Sequence, residues 1–141
     1  MTGAAAQGNV GTHIDHVGIV VRDLAQATAM LANLFGLEVD EAIDARERLG
    51  VKTAFYHLAN MSIELLEPAD EQGRAVRLGE DEARIEHICV RVDDIAQAAG
   101  DLSERGARWT TDGAVPVGRR LVRFTDPDST GGVMFQLLQM T

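Results

Sequence analysis

The sequence predicts an α+β protein built from two tandem modules, each with the element order β-α-β-β-β. The main observation is an internal repeat, in which residues 14–27 (IDHVGIVVRDLAQA) and 85–98 (IEHICVRVDDIAQA) match at seven of fourteen positions, 71 residues apart. In both copies a β-branched run is followed by an aspartate suited to cap a helix. A chain of 141 residues with 45% hydrophobic content has the size and composition of one globular domain.

The first module reads as a strand, a helix and three further strands. The apolar run over 14–21 predicts a buried strand, Asp23 the N-cap of the helix and Gly36 its end. Residues 59–60 are short enough to form a tight turn between the last two strands. The three strands after the helix are predicted at 37–43, 51–58 and 61–66.

The second module repeats this order, with Asp94 as the helix cap and Gly106 as the helix end. Its four strands are predicted at 85–92, 107–111, 121–125 and 133–138. We therefore expect a single domain over 13–141, preceded by a flexible N-terminal tail at 1–12 that is rich in small and polar residues. Within that domain, module one spans 13–68, a charged linker 69–84 and module two 85–141.

Polar residues recur at equivalent places in the two modules. His16 and His87 match in the repeat, while Glu64 and Gln136 stand in the last strand of each module, flanked by apolar residues. A single strand histidine is more often structural than a ligand, but two polar pairs in register favour a shared site. Two imidazoles, a carboxylate and an amide oxygen suit a divalent transition metal, with cobalt, manganese, nickel, zinc and iron left open. Such an ion would polarise a substrate carbonyl.

Composition excludes several other classes of protein. The net charge of −9 argues against general nucleic-acid binding, which requires a basic face. No apolar run approaches a membrane span. The single cysteine, Cys89, lies in an apolar run and is predicted to be a core residue. These features predict a cytoplasmic protein whose partner is a small molecule, rather than a nucleic acid or a membrane.

Several strings along the chain resemble the vicinal oxygen chelate superfamily and, within it, the methylmalonyl-CoA epimerases: IDHVGIVVRDL, LFGLEV, IELLEP, IEHICVRVDDI, RGAR and DSTGGVMFQLL. The resemblance implies a glyoxalase-like fold, in which the two modules form a curled mixed sheet around a metal cleft. It implies a metal held by His16, Glu64, His87 and Gln136. It also implies an isomerase that removes the α-proton of a 2-methylmalonyl thioester and returns a proton from the opposite face.

The chain departs from the epimerase pattern at three places. The family usually has a glutamate where this chain has Gln136, and an amide cannot take up a proton near neutral pH. We therefore expect Glu64 to serve as the catalytic base, with Glu47 as a second candidate. The family's His-Pro-Lys is replaced by Asp-Pro-Asp at 126–128, and Glu86 stands where the family often has a histidine.

Basic residues of the second module are candidates for substrate binding. Arg123 is expected to face the cleft and hold a substrate carboxylate, although an exposed strand arginine is an equal alternative. Arg119 and Arg120 could instead contact the phosphates of a CoA thioester, and His57 could line the cavity. Exposed sheet edges favour a homodimer.

Other activities fit the same scaffold, because one fold hosts many reactions. His16, His87 and Glu64 alone would satisfy the two-histidine, one-carboxylate site of an iron oxygenase. A glyoxalase-type lyase acting on another small metabolite is also compatible. The third alternative is a non-catalytic protein that binds a small molecule, like the bleomycin-resistance members of the superfamily.

Overall fold

A computed structural model describes residues 8–141, so the first seven residues of the expected tail lie outside it. Eight strands form one sheet in the order β2-β3-β4-β1-β5-β8-β7-β6, which confirms the α+β class. The elements of module one are β1 (His13–Val21), α1 (Leu24–Phe35), β2 (Glu41–Ala45), α2 (Arg46–Leu49), β3 (Val51–His57) and β4 (Ser62–Pro68). They are followed by α3 (Glu71–Arg77), β5 (Ala83–Arg91), α4 (Ile95–Glu104), β6 (Val115–Val117), β7 (Arg120–Phe124) and β8 (Met134–Met140).

The two modules are related by a pseudo-two-fold axis between the central strands β1 and β5, which pair antiparallel. Each central strand also pairs in parallel with the last strand of its own module, β1 with β4 and β5 with β8. The outer parts of the sheet meet, because Glu41 in β2 contacts Arg120 in β7. The sheet is therefore curled, and we call the space inside its concave face the cleft.

Helices α1 and α4 cover the convex face of the sheet. Each begins at the repeated aspartate: Asp23 Oδ1 accepts a hydrogen bond from the Gln26 amide at 3.0 Å, and Asp94 Oδ1 from the Gln97 amide at 3.1 Å. Helix α1 ends at Gly36, whose φ of 67° is in the left-handed region. The caps and helix starts predicted from the repeat are confirmed.

Two β-bulges interrupt the pairing of β1 with β5. The register shifts between residues 14 and 16, which leaves Asp15 as the extra residue of β1. A second shift of the register lies between residues 18 and 19 of β1, and it leaves Glu86 as the extra residue of β5. The two bulges occupy equivalent positions of the repeat. A bulge turns a side chain away from the strict alternation of a strand, and here it affects two acidic residues.

Three segments differ from the sequence-based expectation. The strand predicted at 107–111 is reduced to one bridge between Trp109 and Thr125, and β6 forms later in the chain. The Trp109 indole donates to Ser103 Oγ at 2.7 Å, so this segment is anchored to α4 by a side chain. The linker predicted at 69–84 contains helix α3 and the first residues of β5. Strand β2 starts four residues later than expected, at Glu41 rather than at residue 37.

The described part of the expected tail, residues 8–12, lies against module two. The Gly8 carbonyl accepts from Arg105 at 2.8 Å, and the Thr12 amide donates to the Arg91 carbonyl at 2.9 Å. Val10 packs against the apolar cluster beneath α4. Among the described residues, none of the helices has the length and apolar character that a membrane crossing requires.

Candidate active site

Two histidines and a glutamate converge on the concave face of the sheet. The Nε2 atoms of His16 and His87 lie 3.3 Å apart. Glu64 Oε1 lies 3.1 Å from the first of these nitrogens and 3.3 Å from the second. All three side chains are buried. Three of the four residues predicted as metal ligands therefore direct their donor atoms at one another.

The strand registers bring these residues together. Glu64 in β4 and His87 in β5 both lie opposite Gly18 in β1, so the three form one row across the sheet. Side chains within such a row share a face of the sheet. The pseudo-two-fold axis relates this row to a second one, which holds Gln136, Cys89 and His16.

Gly18 leaves room for the His87 ring. A Cβ atom at Gly18 would overlap with all three nearest ring atoms of that imidazole. The glycine is therefore required for space rather than for an unusual backbone conformation. In the second row the equivalent place is taken by Cys89, which is fully buried next to His16.

A carboxylate holds the outer nitrogen of each histidine. Asp15 Oδ2 lies 2.7 Å from His16 Nδ1, and Glu86 Oε1 lies 3.0 Å from His87 Nδ1. Both acids precede their histidine in the chain and reach its ring because each is the extra residue of a bulge. An Nδ1–H bonded to a carboxylate leaves Nε2 as the nitrogen directed into the cleft. Asp15 in turn accepts from Arg91 Nε at 3.0 Å.

The cluster carries opposite charges in close contact. Burial alone would raise the pKa of Glu64, but its contacts with His16 and His87 outweigh that effect and lower the pKa to about 2. Burial would lower the pKa of His16, whereas its bonds to Asp15, Cys89 and Glu64 raise it to about 11. A buried carboxylate thus requires cationic neighbours here, and a bound metal cation would meet the same requirement.

The remaining donors fit a metal site. Gln136 Oε1 is buried and has no hydrogen-bond partner among the described residues, and the same is true of Thr53 Oγ1. Both residues line the same cavity as His16 and Glu64. A buried carbonyl oxygen without a partner is unusual in proteins and indicates a missing ligand or water. Two imidazole nitrogens, a carboxylate and this amide oxygen suit a divalent transition metal.

The cavity around these donors is narrow, with a volume of about 20 Å³. This is close to the volume that one water molecule needs. Its other walls are mostly apolar, and Leu49 of α2 and Val117 of β6 belong to them. Apart from the donor cluster and Thr53, the polar residue that lines the cavity is Arg120.

Arg120 and His57 lie at the mouth of the cleft. Arg120 donates two hydrogen bonds to Glu41, at 3.0 and 2.9 Å, and its guanidinium lies 4.8 Å from the centre of the Phe55 ring. His57 Nε2 is 3.4 Å from Glu41 Oε1, and His57 Nδ1 contacts Ser62 Oγ at 2.7 Å. The structure therefore places both of these predicted substrate-binding residues beside the cleft.

The expectation that Arg123 faces the cleft is wrong. Its guanidinium donates to the Thr111 carbonyl at 2.9 and 3.3 Å and stacks on the Trp109 ring, on the convex side of the sheet. The expectation aligned Arg123 with Phe55 of module one, and this alignment of the two modules is wrong by one residue. Phe124 lies opposite Gln136, as Phe55 lies opposite Glu64, so Phe124 is the equivalent of Phe55. A shift of one residue turns a strand side chain to the other face.

Glu47 is exposed on α2 and is not among the residues that line the cavity. The structure thus does not bring this second candidate base to the donor cluster. Sequence reasoning missed Asp15, Glu86 and Glu41. The first two carried a signal, because an acidic residue precedes the histidine in both copies of the repeat. Glu41 carried none, because its contact with Arg120 joins opposite ends of the sheet.

Comparison with known proteins identifies the class to which this fold and site belong. Residues 15–125 match the model of the Glyoxalase/Bleomycin resistance protein/Dioxygenase superfamily. The chain is 34% identical over 140 residues to the mitochondrial methylmalonyl-CoA epimerase of Bos taurus, covering 97% of this chain and 79% of that protein. It is 35% identical to the ethylmalonyl-CoA/methylmalonyl-CoA epimerase of Cereibacter sphaeroides, covering 90% of this chain and 97% of that protein.

A solved structure shows the same fold. The methylmalonyl-CoA epimerase of Mycobacterium tuberculosis superposes with a TM-score of 0.86 at 24% identity, covering 98% of this chain and 94% of that one. The chain belongs to the glyoxalase/bleomycin resistance/dioxygenase superfamily and, within it, to the methylmalonyl-CoA epimerase family. The resemblance drawn from the sequence motifs is confirmed, as is the glyoxalase-like fold that it implied.

Proposed function

We propose that the chain is a metal-dependent epimerase of methylmalonyl-CoA or of a closely related 2-alkylmalonyl thioester. The observation that carries the proposal is the convergence of His16, Glu64 and His87 within 3.3 Å of one another on the concave face. The names of the relatives in Bos taurus and Cereibacter sphaeroides support the choice of substrate.

His16, Glu64, His87 and Gln136 would hold the metal. Nitrogen and oxygen donors of this kind leave cobalt, manganese, nickel, zinc and iron as the candidate ions. When bound, such an ion polarises the thioester carbonyl and makes the α-proton more acidic. Asp15 and Glu86 keep the two imidazoles oriented through their Nδ1 atoms.

Glu64 is our choice for the residue that moves the proton. It supplies the carboxylate among the residues that line the cavity, whereas Gln136 holds the symmetry-related place and cannot accept a proton. A carboxylate bound to a metal is a poor base, because the cation stabilises its anion. Glu64 would therefore have to leave the metal before it could accept the proton.

The direct test is exchange of the α-proton with solvent. Purified protein is assayed with methylmalonyl-CoA in deuterium oxide, and its metal content is measured by elemental analysis. We expect a bound transition metal together with metal-dependent incorporation of deuterium at the α-carbon. Metal-loaded protein that binds the thioester without exchanging its proton would contradict the proposal.

An oxygenase is the alternative with a specific observation behind it. His16, His87 and Glu64 form a two-histidine, one-carboxylate set on one face, as non-haem iron oxygenases require. Addition of ferrous ion without oxygen, followed by oxygen and a candidate substrate, would then give oxygen uptake. A non-catalytic binding role would be supported instead by a lack of affinity for any of the five metals.

The homodimer and the cytoplasmic location stay predictions. The last turns of α1 leave Leu34 and Phe35 exposed, by 67% and 69%, and these apolar side chains support a subunit contact. Sedimentation of the purified chain over a range of concentrations measures the oligomeric state.

A further inference from the structure

Arg120 links the two modules across the mouth of the cleft. It belongs to β7 of module two, and its guanidinium pairs with both carboxylate oxygens of Glu41 in β2 of module one. We call this pair the clasp. The Arg120 side chain is 12% exposed and the Glu41 side chain 38%, so the cation is held inside and the carboxylate faces outward. The nearby guanidinium keeps the pKa of Glu41 below its ordinary value, so both groups are charged at neutral pH.

Arg120 is held in place by contacts other than the clasp. Its guanidinium lies over the Phe55 ring, which forms a T-shaped pair with the His16 ring at a centroid distance of 5.2 Å. A single aromatic ring thus separates Arg120 from the donor cluster. The Nε of Arg120 is buried without a hydrogen-bond partner among the described residues, so the guanidinium still has a donor to offer.

The cleft must open before a thioester can reach the donor cluster. A cavity of about 20 Å³ admits no acyl group. The clasp closes its mouth, together with apolar contacts between α2 and β6. If the carboxylate of a ligand took the place of Glu41 beside Arg120, the arginine would still be paired with a negative charge. The link between β2 and β7 would then be broken.

We propose that Arg120 binds the free carboxylate of a malonyl-type thioester, and that Glu41 occupies this position until the substrate displaces it. The inference rests on the proposed function and adds the residue that selects for the carboxylate. A bidentate arginine fork recognises a carboxylate specifically. A thioester without that group cannot take the place of Glu41 and leaves the clasp closed. Glu41 has a second polar neighbour besides Arg120, because His57 Nε2 lies 3.4 Å from its Oε1.

The first test compares two ligands that differ in the carboxylate alone. Titration calorimetry measures binding of methylmalonyl-CoA and of propionyl-CoA to the metal-loaded protein. We expect Arg120→Gln to weaken binding of methylmalonyl-CoA by about ten- to a hundred-fold, the range for a hydrogen bond to a charged group, and to change propionyl-CoA binding by less than about three-fold. Arg120→Lys keeps the charge without the planar fork and should give a smaller loss. Arg105→Gln, at an exposed arginine that follows α4 on the convex side of the sheet, is the matched control.

The second test removes the competing carboxylate. Glu41→Gln should tighten binding of methylmalonyl-CoA by several-fold, because the substrate no longer displaces a charged partner. Without ligand, the same variant should show faster amide hydrogen exchange in α2 and β6, where the mouth is closed. Glu38→Gln, an exposed acidic position close by, should change neither quantity.

The outcomes separate this inference from the proposed function. If the wild type exchanges the α-proton of methylmalonyl-CoA but Arg120→Gln weakens both ligands equally, the inference fails and the proposed function stands. If Glu41→Gln weakens binding of methylmalonyl-CoA, the placeholder role of Glu41 is wrong. If the wild type binds neither thioester, both proposals fail.

Discussion

Asp15 and Glu86 determine which nitrogen each histidine presents to the cleft. Their carboxylates lie 2.7 and 3.0 Å from the Nδ1 atoms of His16 and His87. Neither acid contributes to the predicted ligand set, yet without them each ring could present either nitrogen or rotate. The orientation of the proposed metal ligands therefore depends on residues that do not belong to the ligand set themselves.

Replacing either acid by its amide should reduce metal affinity. Asp15→Asn and Glu86→Gln keep the size of the side chain but remove the charge that orients the imidazole, so we expect losses of about 10- to 100-fold. Competition with a chromophoric chelator measures this affinity. Asp23→Asn, a change between two good helix caps, is the control and should leave the affinity unaltered. Unaltered affinity in both acid-to-amide variants would show that the contacts do not orient the rings.

Gly18 should tolerate no side chain. A Cβ there would overlap with the His87 ring, so Gly18→Ala must displace that imidazole from Glu64 and lower metal affinity. The control is Gly100→Ala in α4, where nothing lies within 4 Å of the added atom. That change should raise the free energy of unfolding by about 0.5–1 kcal/mol, because alanine favours a helix interior. Wild-type metal affinity in Gly18→Ala would contradict the assigned packing.

At the scale of the elements, local signals predicted most of the fold. The strands β1 and β5, the helices α1 and α4 and their aspartate caps follow from periodicity and from contacts within a few residues. Strand β6 is the hairpin partner of β7, joined to it by Gly118 and Arg119, and it was not predicted from the sequence. The bulges depend on pairing between distant segments, which a single sequence does not encode locally. For the same reason, the repeat placed His16 and His87 together but not Glu41 and Arg120.

The alternation of side chains along a strand explains why Arg123 was assigned to the wrong face of the sheet. Arg123 follows Val122 and precedes Phe124, both on the concave side, so its own side chain reaches Trp109 on the convex side. We expect Arg123→Ala to lower the free energy of unfolding by about 1 kcal/mol through the lost contacts with Thr111. Substrate affinity should not change. Denaturant unfolding measures the stability of the variant, and a binding titration measures its affinity for the substrate. Weaker substrate binding with unchanged stability would contradict the placement of Arg123 on the convex side.

At the scale of the whole molecule, the site joins the two modules. His16 and Glu64 come from module one, whereas His87 and Gln136 come from module two. A metal held by all four would bridge the halves of the sheet and stabilise the folded state in proportion to ln(1 + [L]/Kd). The fold is symmetric at this site, but its chemistry is not, because one half carries a carboxylate and the other an amide.

Metal addition should therefore raise the melting temperature. At a free metal concentration of 100 times Kd the gain is about 2.7 kcal/mol, which corresponds to roughly 5–10 °C for a chain of this size. Thermal unfolding with each of the five metals, and with a chelator, measures the shift. The Glu64→Gln variant should show a smaller one. A melting temperature that none of the five metals alters would contradict the site.

The central claim is that Glu64, and not its symmetry mate Gln136, moves the proton. It is tested most directly by deuterium exchange at the α-carbon of methylmalonyl-CoA, measured for metal-loaded wild type, for Glu64→Gln and for Glu47→Gln, which removes the other candidate base. We expect Glu47→Gln to exchange like the wild type, and Glu64→Gln to lose about 10²-fold or more while still containing metal. A Glu64→Gln protein that keeps its metal and exchanges the proton at the wild-type rate would contradict the account.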